Sequence, residues 1–207
     1  MPAEIRDVAP GLWIWRLDYP DWRPGLGWKP PVTSTCVESG GEVIVLDALG
    51  PPEEDEVWTR LDARPPTVAV VLKPDHVRSV DAFVRRYDLQ AFGPDTFHRT
   101  DVPETDLEWI GPKSELPGGL VALYDGRSRN ETPLWLPEQR ALVFADAMTA
   151  PEGELRIWAT PWHEEWVLPA FRAMLELPFE RVIVSHGDPV HDRAAFERAL
   201  ELEPWNG

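Results

Sequence analysis

Hydrophobic and polar positions alternate through the first quarter of the chain. In "GLWIWRL", residues 11 to 17, Leu12, Ile14 and Leu17 interleave with bulky aromatic residues, and "TSTCVES", a glycine pair and "EVIVLDA" predict strand, turn and strand. "PPEEDEVWTRLDA" places proline and acids ahead of a short helix, and "TVAVVL" is a β-branched strand. The stretch "AVVLKPDHVRSVDAF", residues 69 to 83, continues that strand, turns at Lys73-Pro74-Asp75-His76 and resumes at helical spacing with Val77, Val80 and Phe83 on one face. After a further short strand in "LQAFGP", residues 93 to 118 show little periodicity. The second half predicts strands in "GGLVALYDG", "ETPLWLP", "EQRALVFADAM" and "RVIVSHG", and helices in "WVLPAFRAMLEL" and "DRAAFERALE". Two β-rich halves, each finishing in a helix, suggest two stacked sheets with helices outside. No break divides residues 1–207, so one domain is expected.

Composition narrows the function. The formal charge of −16, from 36 acids against 20 bases, disfavours nucleic acid and anionic membrane surfaces and leaves a small molecule as the expected partner, with oligomeric state open. No apolar run approaches the roughly 18 residues of a membrane span. The start "MPAEIRDVAP" has neither a positive front nor an apolar stretch, and the expectation is a cytoplasmic protein. Cys36, the single cysteine, is expected in the core. Eleven tryptophans and 23 prolines point to a stiffened, aromatic-rich surface or pocket.

Three predicted strand ends carry polar groups: Asp75-His76, Asp146 and His186. Two imidazoles and two carboxylates suit a borderline divalent cation such as zinc if those ends converge. Each residue also has a plainer reading. Asp75 could cap the following helix, Asp146 could cap a turn, His186 could be a surface histidine, and Lys73 could extend into water.

In this order, the glycine hairpin ending at Asp47, "KPDHVRSV", "LWLPEQRALVFADAM" and "VIVSHGDPV" resemble the landmarks of the metallo-β-lactamase superfamily over nearly the whole chain. The resemblance implies an α+β fold, the four-layer αββα sandwich. It also implies that the superfamily's His-x-His-x-Asp-His motif falls on Val71, Lys73, Asp75 and His76, so its two leading histidines are absent. The middle histidine falls near Arg127 in "DGRSRNE", with Arg129 as an alternative, and is absent too. All the missing ligands belong to the first metal site. Asp75, His76, Asp146 and His186 match the second.

Two functions follow from that pattern. One is a hydrolase of ester, thioester or lactam-type bonds holding at most one Zn(2+) on Asp75, His76, Asp146 and His186, with Lys73 or Arg127 replacing the first metal's charge and stabilising an oxyanion. The other is a metal-free, non-catalytic member of the fold that binds a ligand or a protein partner. Metal-free catalysis by Lys73 ranks below both, because nearby acids oppose lowering its proton affinity. The resemblance implies that Trp13, Trp15, Trp22 and Trp28 fall in a hairpin loop over the site mouth, where they could stack on an apolar or aromatic ligand, and core packing explains Trp13 and Trp15 as well. His98, His163 and His191 carry no transferable role.

Overall fold

The computed structural model describes residues 2–127 and 131–207; Arg129 lies outside them. The first sheet has seven strands in chain order: β1 (Glu4–Ala9), β2 (Leu12–Asp18), β3 (Pro31–Ser39), β4 (Glu42–Leu46), β5 (Val68–Val70), β6 (Gln90–Gly93) and β7 (Glu108–Trp109). The first four pair antiparallel, and β4 to β7 run parallel. The change of sense follows from the connections. A two-glycine turn joins β3 to β4, whereas β4 to β5 and β5 to β6 cross over through helices α1 (Glu56–Ala63) and α2 (Val80–Tyr87).

The second sheet is built from β8 (Glu115–Leu116), β9 (Leu120–Ala122), β10 (Leu134–Leu136) and β11 (Ala141–Phe144). Beyond β11, the small hairpin of β12 (Met148–Thr149) and β13 (Arg156–Ile157) stands apart, and α3 (Leu168–Met174) leads to β14 (Arg181–Val184) and α4 (Arg193–Ala199). The strand order is β14-β11-β10-β9-β8, with β14 parallel to β11. Four of these short strands, β7, β8, β12 and β13, were not legible, because two residues cannot establish a period.

Side-chain alternation produces the layers. Leu12, Ile14, Ile44, Leu46, Val68 and Val70 meet Leu134, Leu136, Ala141, Val143 and Ile183 between the sheets. Trp13, Trp15, Val43 and Val45 face the other way, against Val57, Leu61 and Phe83 of α1 and α2. Leu142, Phe144 and Val182 likewise meet Phe171 of α3 and Phe196 of α4. The tryptophan pair of β2 is therefore core. Trp15 is fully buried and donates its indole N–H to Leu49 O at 2.8 Å, which satisfies its polar atom. Cys36 is also buried, and burial pushes its thiol up to about 12. Among the described residues, no helix is long and apolar enough to cross a membrane.

Candidate functional site

The site gathers where strands of both sheets end at one edge of the sandwich. Past β5 the chain turns at residues 73 to 76, closed by the His76 N–H donating to Lys73 O at 2.9 Å. Helix α2 begins only at Val80, with Ser79 in the preceding position. Asp75 is thus not its cap, and that plainer reading is excluded.

Lys73 is turned inward. Its Nζ donates to Asp75 Oδ2 at 2.7 Å and to Asp146 Oδ2 at 2.6 Å, and its side chain is 13% exposed, so the expectation that it could extend into water fails. Burial alone would lower its pKa, but Asp146 and Asp75 outweigh burial and raise it. Lys73 stays a cation throughout the physiological range. It sets a fixed positive charge between Asp75 and Asp146.

His76 lies deeper. Its Nδ1 pairs with Asp47 Oδ2 at 2.8 Å, and its Nε2 is 3.3 Å from Asp146 Oδ1. Burial opposes its charge, yet Asp146 and Asp47 prevail and its pKa rises to about 9. His186 Nε2 reaches the same Asp146 Oδ1 at 3.2 Å, but burial keeps its pKa below the usual value, so it is neutral. Both imidazoles stand at ion-pair distance without hydrogen-bond alignment, which leaves Asp146 Oδ1 buried and without an aligned donor. Burial raises the proton affinity of Asp146, but His76, His186 and Lys73 together hold its pKa well below the carboxylate range.

Three residues of this network were not singled out as functional in the sequence. Asp47, at the end of β4 with φ 45°, accepts the Leu72 N–H on one oxygen and faces His76 with the other. Arg78 donates to Thr33 O, Asp47 O and Ser185 Oγ at 2.6 to 2.7 Å, tying together the ends of β3, β4 and β14. Glu131 accepts the backbone N–H groups of Ala145, Asp146 and Ala147 at 2.6 to 2.9 Å and so fixes the loop that presents Asp146. Burial pushes its carboxyl up to about 7, against the opposing charge of Arg127. An arginine two positions after His76, and an acid opening "ETPLWLP", were the available signals.

Arg127 lies elsewhere than expected. Its guanidinium pairs with Asp125 at 3.1 Å and Glu131 at 3.5 Å, and it makes no ion pair with Asp75 or Asp146. It supports the loop that Glu131 holds and does not face the cluster as an oxyanion donor.

His186 is fixed by backbone: its carbonyl accepts the Ala150 N–H and the Thr149 hydroxyl at 2.9 and 3.0 Å. Gly187 permits this closeness, since a Cβ there would stand 2.5 Å from the Ala150 Cβ, and its φ is 135°. The Trp28 ring lies 4.5 Å, centroid to centroid, from the His186 imidazole, and Trp22 holds that loop by donating its indole N–H to Trp28 O at 2.8 Å. Of the tryptophans expected over the site mouth, Trp28 stands against His186 and Trp22 braces its backbone.

Many solved structures share this arrangement of sheets and helices. The metallo-β-lactamase TMB-1 matches 98% of this chain and 97% of its own, with a TM-score of 0.73 at 14% identity. A metallo-β-lactamase from Pontibacter korlensis matches 97% of this chain and 100% of its own, with a TM-score of 0.71 at 16% identity. This chain has the metallo-β-lactamase fold. FIM-1 from Pseudomonas aeruginosa, solved in a mono-zinc form, shares that fold at a TM-score of 0.68 and 18% identity, covering 97% of this chain and 96% of its own. No protein-family model and no curated protein sequence matches the chain.

Metallo-β-lactamase-type zinc chemistry requires a convergent set of free donors, and the cluster tests poorly for it. Two features favour a cation near Asp146: the two imidazoles converge on its Oδ1, and both that oxygen and Asp75 Oδ1 are buried without aligned partners. Against this, Lys73 already neutralises Asp75 and Asp146, and His76 is held as an imidazolium with both nitrogens facing carboxylates. With Lys73 bridging Asp75 and Asp146, and His76 lying between Asp47 and Asp146, a dication would have to displace the ammonium and an imidazole proton to enter. Among the described residues, no group of three or more His, Cys, Asp or Glu is arranged to hold a metal ion. As arranged, these residues do not fit one.

Proposed function

We propose that the chain is a metal-independent member of this fold that binds a small organic molecule beside the cluster, with Lys73 as the fixed cation in place of a metal. The observation that carries this reading is the Lys73 ammonium bridging Asp75 and Asp146 at 2.7 and 2.6 Å. A closed ion network has no free nucleophile, and Lys73 with a raised pKa is no base. The network shapes a cleft edge; it does not run a hydrolysis. The charge of −16 fits a small-molecule partner better than a nucleic acid.

A second reading is a one-zinc hydrolase on Asp75, His76, Asp146 and His186, and the two buried oxygens without aligned partners support it. Turnover of ester, thioester and β-lactam substrates, measured with chelator and again with added zinc, separates the two. The binding reading expects no zinc-dependent turnover. Zinc-stimulated turnover abolished by His186→Ala would overturn it.

A further inference from the structure

A cavity of about 620 Å³ is lined by Trp28 and His186 but by none of Lys73, Asp75, His76 and Asp146, and its volume suits a small ligand. Resting on the binding reading above, we propose that this cavity takes an aromatic zwitterion: a flat ring carrying both a carboxylate and an ammonium group, as in an aromatic amino acid.

The walls supply the ring's environment. Trp28 and Trp205 both line the cavity, and indole faces attract flat rings through area burial and offset stacking. The loop that carries Trp28 is braced within itself and packed against one distant residue. Trp22 bonds Trp28 O, and Gly27 packs so tightly on Gly207 that a Cβ at Gly27 would lie 2.9 Å from the Gly207 Cα. An aromatic wall already in position binds without the cost of ordering a loop.

The charges of the lining select the polar group. Arg16, Lys29, Glu152 and Asp188 are its ionic residues. Arg16 and Asp188 pair with each other at 2.8 Å, so neither seeks a ligand charge. Among the described residues, Lys29 and Glu152 have no hydrogen bond or ion pair, which leaves one exposed cation and one exposed acid of the lining without a protein partner and beyond ion-pair distance of each other. A ligand with one charge would leave the other residue unanswered. An anion would also meet the field of a chain at −16, which an electroneutral ligand avoids. A zwitterion with its carboxylate on Lys29 and its ammonium on Glu152 answers both. His186, packed on Trp28, adds a polar wall.

The test is calorimetric titration of the full chain, in chelator, with three probes of one ring: L-tryptophan, indole-3-propionate with the acid alone, and tryptamine with the amine alone. L-Tryptophan is expected to bind most tightly, with the single-charge probes weaker by about tenfold each. Lys29→Ala should remove the advantage over tryptamine, and Glu152→Ala the advantage over indole-3-propionate; both residues are exposed, so the fold is not at stake. No binding of L-tryptophan, or equal or tighter binding of either single-charge probe, would overturn the assignment. Zinc-dependent turnover would instead overturn the binding reading, so the two failures are distinct.

Discussion

The carboxylate of Glu131 accepts the backbone N–H of Asp146 at 2.7 Å, and the same oxygen takes the N–H of Ala147 at 2.6 Å. With Ala145 on the other oxygen, both oxygens of that buried carboxylate face backbone donors. Glu131→Gln must turn an amide NH2 toward a backbone N–H, whichever way it is flipped. The expected loss is about 1–3 kcal/mol in urea unfolding, because a buried group loses its partner. Glu131→Ala should cost more, since three amides are then unanswered. A loss near zero for both would mean that the loop holds Asp146 unaided.

His76 sets a pH window. Its folded pKa is raised to about 9 against the usual 6.5, so the stability it contributes is fully present below 6.5 and is lost as pH rises through 9. Glu131, also raised, binds its extra proton only up to about 7, and the Cys36 thiol, raised to about 12 from an ordinary value of 9, adds a slope only near pH 9, so most of the slope between pH 7 and 9 belongs to His76. Stability of the native sequence should fall by roughly 2–3 kcal/mol across that interval. His76→Asn should flatten the slope. Equal slopes in the two proteins would show that His76 is neutral in the fold.

Lys73 acts in the opposite window. It holds the pKa of Asp146 low together with the two histidines, so the stability it confers is present above the unfolded carboxylate value and fades as pH falls through the folded one. Without the ammonium the buried Asp146 should bind a proton more readily, so protonation relieves part of the loss at pH 5, and Lys73→Met should destabilise more at pH 8 than at pH 5. The loss at pH 8 is expected at about 3 kcal/mol, the lower range for breaking a largely buried ion pair. Melts in chelator at both pH values measure it, and an equal loss at both would reduce Lys73 to a packing role.

Much of this fold was legible because its strands alternate cleanly: Leu12 and Ile14 against Trp13 and Trp15 place one face between the sheets and the other under the helices. The site was legible where residues sit in quoted motifs at strand ends, as Lys73, Asp75, His76, Asp146 and His186 do. Arg127 was misplaced because a loop residue carries no register, and only tertiary packing directs it to Asp125 and Glu131. Asp47, Arg78 and Glu131 act mainly through backbone groups of distant segments, a relationship with no periodic trace in the chain.

The central claim is that Lys73 occupies the cluster in place of a metal, and zinc stoichiometry tests it most directly. Protein purified without added metal, then dialysed against zinc and washed, should hold no stoichiometric zinc by elemental analysis, whereas Lys73→Ala, which frees Asp75 and Asp146, should gain zinc that His186→Ala in the same background removes. One tightly held equivalent in the native sequence, released by His186→Ala, would contradict the account.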